Sequence, residues 1–113
     1  MKPNMNAVNP RSVKIDTSSS TLPTSYTIAA TSLKLSDVAY ADHLMVINET
    51  GSRIAINAFT SDASNAPSNG DGEVYCFGNG ITAFDEIAVA QSLYVRSDSG
   101  SPITSGIITI MLW

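Results

Sequence analysis

Ionic side chains are scarce in this chain: Asp, Glu, Lys and Arg make up 14% of its 113 residues, against about 25% in an ordinary soluble domain. Ser, Thr and Asn stand where Lys and Glu usually would. The resulting surface is polar rather than ionic, a composition that serves either packing against other proteins or the turns and edges of a β-rich fold. The six basic residues are scattered and the net charge is -4, so the dense basic patch that counterion release at nucleic acid requires is missing. No apolar stretch approaches the ~20 residues needed to span a bilayer, and Met1 leads into KPNMNAVNPRS without an apolar signal core. Nucleic acid and membrane are therefore excluded as expected partners, and folding is expected in the cytoplasm where the chain is made.

Catalytic and metal-binding side chains are equally sparse. The single cysteine, Cys76, cannot close an internal disulfide and lies in the strand-like run VYCF, where a thiol behaves as a small hydrophobe. The single histidine, His43, sits between Ala41-Asp42 and the apolar LMVI, a strand-edge position far in sequence from the thiol. A nucleophile, base and orienting group cannot be assembled from these, and a zinc site fails on ligand supply. SNGDGE carries oxygen ligands in Asp71 and Glu73, but its spacing is not that of an EF-hand loop, and Asn-Gly and Asp-Gly are common turn formers. Asp85-Glu86 would point to opposite faces of a strand and cannot form a glycosidase pair. No catalytic residue, cofactor or metal is expected.

What the chain does have is short-period alternation. The first ten residues, with Pro3 and Pro10 around Asn4, Asn6 and Asn9, read as an extended arm, and residues 11–113 as one β-sandwich domain. In Arg11 to Asp16, Val13 and Ile15 face one way and Ser12, Lys14 and Asp16 the other. Tyr26 to Ala29 and SLKLSD read as further short strands, with a helical turn allowed around Val38 to Asp42. LMVINETGSRIAINAF reads as a hairpin closed by Glu49-Thr50-Gly51-Ser52, with Ile54, Ile56 and Ala58 toward the core and Arg53, Ala55 and Asn57 away from it. Thr60 to Gly72 has almost nothing to bury and is expected to be an exposed loop. Glu73 to Phe77 is strand-like, Phe77-Gly78-Asn79-Gly80 a turn, and Glu86 to Ala90 a strand.

LYVRSDSGSPITSGIITIMLW then gives two strands as a terminal hairpin. Its last strand places Ile108, Ile110 and Leu112 on one face and Ile107, Met111 and Trp113 on the other, so one face fills the core and the second fits a subunit interface or a further layer of the same chain. About eight short strands with polar turns predict an all-β sandwich, with jelly-roll topology as one form.

Three segments, TSYTIAATSLKLS, MVINETGSRIAINAF and SLYVRSDSGSPITSGIITIMLW, together resemble small structural proteins encoded in the virion modules of tailed bacteriophages. The resemblance covers most of the chain after Arg11. It implies a β-sandwich or jelly-roll that serves as a minor head, decoration or cement protein, with a capsid cement or decoration protein on the head surface as the expected role. It further implies binding to the major capsid protein, frequently as a homotrimer, with no catalytic residues. Arg11, Tyr94, Arg96, Met111 and Trp113 are the candidate subunit or capsid contacts. A tail, neck or fibre component and a glycan-binding sandwich remain as alternatives, the latter using Tyr40, Tyr75, Tyr94 or Trp113 as a platform.

Overall fold

Among the described residues eight strands build two four-stranded sheets in which every pairing is antiparallel: β1 (Arg11–Asp16), β2 (Ser32–Lys34), β3 (Leu44–Asn48), β4 (Ile54–Asn57), β5 (Glu73–Cys76), β6 (Gly80–Phe84), β7 (Ser92–Ser97) and β8 (Ile107–Leu112). The structure is a computed structural model describing residues 11–27, 32–34, 43–57, 65–84 and 92–112. The strand orders are β1-β8-β3-β6 and β2-β7-β4-β5. One rule generates both: β1 pairs with β8, β2 with β7, β3 with β6 and β4 with β5. The strands thus form a long two-armed hairpin closed at β4–β5 and rolled so that the strands along each arm alternate between sheets, which is the jelly-roll topology.

Between the sheets lies the core. Alternate residues of the strands supply it: Leu44 and Val46 of β3, Ile54 and Ile56 of β4, Leu93 and Val95 of β7, and Ile108, Ile110 and Leu112 of β8. Leu22 and Ile103 join from the loops, where they form an isolated antiparallel bridge. β8 is central in its sheet, flanked by β1 and β3. Each of its three inward side chains is at most 1% exposed and contributes on the order of 2 kcal/mol by burial. The expectation of a buried final strand therefore holds on this face as far as Leu112.

Neither expected hairpin is one. β3 and β4 lie in different sheets, as do β7 and β8, so the turns after Asn48 and Ser97 carry the chain across the sandwich rather than back along it. Alternation with a glycine turn is common to both geometries, and the partner strand decides between them. At the first crossing Asn48, fully buried, donates through Nδ2 to the carbonyls of Ser52 (2.8 Å) and Phe77 (2.7 Å), and its Oδ1 accepts from the Thr50 amide (3.1 Å) and hydroxyl (2.7 Å). The Gly51 amide donates to Gly78 O at 2.8 Å. The β3–β4 turn is thereby fastened to the β5–β6 turn.

The second crossing ends at Gly106, whose carbonyl accepts from the amide (3.1 Å) and hydroxyl (2.7 Å) of Thr17. Its φ of 97° is left-handed, and a Cβ there would lie 2.5 Å from Thr50 Cα. Only glycine lets the backbones pass so closely.

Other readings shift as well. Ile81 to Phe84 belongs to a strand that begins at Gly80, where only the preceding turn was legible. Tyr26 is buried but not in a strand. The first ten residues, the helical turn around Val38 to Asp42 and the strand at Glu86 to Ala90 lie outside the described residues. In the expected loop, Asn65 and Ser68 to Gly72 are exposed, while Ala66 and Pro67 are half-buried.

Candidate interaction surface

The two sheets treat their outer faces differently. On β2-β7-β4-β5 the outward positions of β7 and β4 are Tyr94 and Arg96, and Ala55 and Asn57, all no more than 7% exposed. This corrects the expectation that Ala55 and Asn57 point to solvent and that Tyr94 and Arg96 are free to meet a partner. The chain itself covers this face. Tyr26 packs edge-on against Tyr94 with ring centroids 6.1 Å apart, and the turn ending at Gly72 is held beneath by Asn57, whose Nδ2 donates to Asp71 O. Asp71 N in turn donates to Ser68 O at 3.3 Å, so SNGDG forms a turn, with positive φ at Gly70 and Gly72.

Glu73 and Arg96 organise the cover. The Glu73 carboxylate, 0% exposed, accepts from Arg96 Nε (2.6 Å) and Nη2 (2.9 Å), the Tyr26 hydroxyl (2.6 Å), the Tyr75 hydroxyl (3.0 Å) and the Gly70 amide (2.7 Å). Arg96 Nη1 donates to the carbonyls of Ser97 (2.9 Å) and Thr24 (3.3 Å), and Nη2 reaches Asp98 Oδ1 at 3.1 Å. Asp98 also pairs with Arg53 at 2.9 Å, and the Arg53 guanidinium lies 4.5 Å above the Tyr75 ring.

Burial pushes the Glu73 carboxyl upward, but the donors from Arg96, Tyr26, Gly70 and Tyr75 outweigh it and hold its pKa at about 2. The Tyr26 hydroxyl is raised by burial and by Glu73, and Arg96 is raised chiefly by its hydrogen bonds to Glu73. This is a saturated structural network with no lone pair left for a substrate. Among the described residues the Tyr94 hydroxyl is buried without a hydrogen-bond partner.

On β1-β8-β3-β6 the outer face is different. Register places Ser12, Met111, Met45 and Ala83 in one row across the sheet and Lys14, Thr109, Ile47 and Ile81 in the next, with Ile107 beside Asp16. Among the described residues charge lies at the margins of this face, on Lys14 and Asp16 of β1 and on exposed Glu49, whose amide donates to Ile107 O at 3.0 Å just past the end of β3. Across β8, β3 and β6 the face is apolar apart from Thr109, with Met45, Ile47 and Met111 half-buried, Ile107 40% and Ile81 67% exposed. Phe77, just before β6, is 78% exposed. Patches of this kind mark contact sites.

Of the five sequence candidates, only Met111 is seen to lie on this face. The Arg11 backbone pairs with Leu112, and Trp113 lies outside the described residues. Sequence reading missed Met45, Ile47 and Ile81, although the former two sit opposite Leu44 and Val46 in an unbroken apolar strand that signals two covered faces. Among the described residues no three His, Cys, Asp or Glu side chains cluster to hold a metal. Cys76 is buried in the core, which raises its thiol pKa.

No known family and no curated protein matches the sequence. Among solved structures, the chain is similar to the tobacco streak virus coat protein dimer, with 10% identity, a TM-score of 0.43 and coverage of 92% of this chain and 86% of that one. A C2 crystal form of the tobacco streak virus coat protein gives 12% identity, a TM-score of 0.39 and coverage of 100% of this chain and 90% of that one. At these scores the likeness decides nothing about what the chain does.

Proposed function

We propose that this chain is a virion structural protein, a capsid cement or decoration protein that binds between major capsid subunits on the head surface, acts as a homo-oligomer and has no catalytic role. The observation that supports this reading is the apolar outer face of β8, β3 and β6, where among the described residues Ile81 and Ile107 are exposed and Met45, Ile47 and Met111 half-buried, while the opposite sheet carries its own loops over buried Tyr94 and Arg96. Jelly rolls also serve as lectin and cupin domains. The glycan-binding alternative, however, loses Tyr94 to the interior, and Tyr75 is spanned by Arg53. A surface that mates with a lattice is served by apolar area of the kind that β8, β3 and β6 present here.

An antibody raised against the purified chain, applied to particles from the same source in immuno-electron microscopy, is expected to label the head. Label at the tail overturns the cement assignment, and unlabelled particles that also lack the chain by mass spectrometry overturn the virion reading. Ile107→Glu, at an exposed position, is expected to weaken retention on particles at least tenfold without lowering Tm.

A further inference from the structure

Among the described residues the two sheets have four edge strands, and three of them carry the devices that block edge-to-edge pairing. β1 bears Lys14 and Asp16, β2 is three residues long with Lys34, and β5 is four residues long with its Glu73 tied into the ion network. β6 has none: GITAF is five residues without a charge or a proline. It lies at the end of its sheet, and Gly80, Ile81 and Ala83 are exposed. From Phe77 to Phe84 the sequence FGNGITAF is uncharged.

We propose that β6 is a self-association edge, pairing antiparallel with β6 of a second copy about a two-fold axis through Thr82. Three observations favour a second copy over another occupant. The register that pairs the whole strand sets Thr82 opposite itself, Ile81 opposite Ala83 and Gly80 opposite Phe84, so every residue meets one on the same side of its sheet. Two bodies of net charge -4 repel least where neither presents charge, and Gly80 to Phe84 is such a place. The pairing also joins two four-stranded sheets into one of eight, making the Met45–Ala83 and Ile47–Ile81 rows continuous across the axis. An edge of five residues buries less than a standard interface, so the dimer is weak, with a dissociation constant on the order of 10–100 µM. The inference deepens the homo-oligomer part of the proposed function, and its test on the free chain is separate from that of the virion location.

Sedimentation equilibrium of the full chain from 1 to 500 µM tests it, with folding checked by circular dichroism. The wild type is expected to form dimers, and Ile81→Lys and Ala83→Asp, both at exposed positions, are each expected to raise the dissociation constant at least tenfold. Position 81 of one copy faces position 83 of the other, so the double variant I81K/A83D places two opposite-charge pairs across the axis and is expected to recover most of the loss. A monomer throughout the range, a dimer or trimer insensitive to Ile81→Lys, or a double variant weaker than either single overturns the proposal. So does association of the wild type only with a foreign strand. None of these outcomes bears on whether antibody labels the particle.

Discussion

Arg96→Leu is the most exposing perturbation of this fold, because it removes one partner of a buried pair and leaves the other. The Arg96 side chain is 8% and the Glu73 side chain 0% exposed, and two hydrogen bonds of 2.6 and 2.9 Å join them. Leucine would leave the Glu73 carboxylate with only Tyr26, Tyr75 and Gly70 as donors and strip a donor from Thr24 O and Ser97 O. Breaking a buried pair in this way costs about 3–5 kcal/mol, a large share of the ~5–15 kcal/mol that holds a domain together. Urea denaturation at pH 7 measures it. In the double variant with Glu73→Leu the loss is expected to fall short of the sum of the singles by about 2 kcal/mol, since the orphaned charge is then gone.

Acid supplies an independent reading of the same variant. A carboxyl held at about 2 in the folded chain, against 4.5 ordinarily, binds its proton first in the unfolded state. Its contribution, roughly 3 kcal/mol, is fully present above about pH 5 and is lost as pH falls through the folded value. Without Arg96 the folded carboxyl rises, so Arg96→Leu is expected to lose less stability than the wild type between pH 6 and 3, and the gap between them to narrow. A cost below about 1 kcal/mol at pH 7, or a gap that stays constant with pH, would refute the claim that this pair holds the loops to the sheet.

Tyr94→Phe removes a buried hydroxyl that has no partner among the described residues and is expected to leave stability unchanged or raise it by about 1 kcal/mol in the same urea assay, where a loss beyond about 1 kcal/mol would mean that the hydroxyl is satisfied. Gly106→Ala must accept a φ of 97° and a Cβ 2.5 Å from Thr50 Cα, whereas Gly100→Ala meets a similar φ with nothing within 4 Å. Thermal melts are expected to show the first losing at least ~2 kcal/mol more than the second. Cys76, its thiol raised by burial, is expected to resist alkylation at pH 8 in the native chain and to react within minutes in urea, and rapid native labelling would place it outside the core.

The core was legible because burial follows a period of two. Leu44 and Val46, Ile54 and Ile56, Leu93 and Val95, and the three inward residues of β8 all lie where alternation puts them. Alternation tells which residues share a side and does not tell which side meets water. For this reason Tyr94 and Arg96, correctly set opposite Leu93 and Val95, were read as outward when they are buried on the far face. Sheet membership was hidden for a related reason. A turn such as NETGS returns a strand to its neighbour or carries it across a sandwich with the same residues. The deciding contacts here, Asn48 to Phe77 O and Gly51 to Gly78, come from more than twenty residues away. β6 escaped notice because Thr82 and Ala83 give weak alternation after a run of turn formers.

The chemistry of the two outer faces explains why one is closed within the chain and the other left open. The covered face carries Asn57, Arg96 and Glu73, groups whose hydrogen bonds are directional and whose desolvation is costly unless each donor and acceptor is met. Such groups are best closed by segments that fold with them, and Tyr26, Thr24 and Gly70 do so at fixed distances. The open face carries Met45, Ile47, Ile81, Ile107 and Met111, whose burial gains scale with area and impose no donor geometry, and methionine adapts readily to an irregular neighbour. On the proposed function, cover for that face comes with assembly. Replacing Ile47 by Asn would give the open face the directional demand of the closed one, and by this reasoning would weaken assembly far more than it weakens the fold.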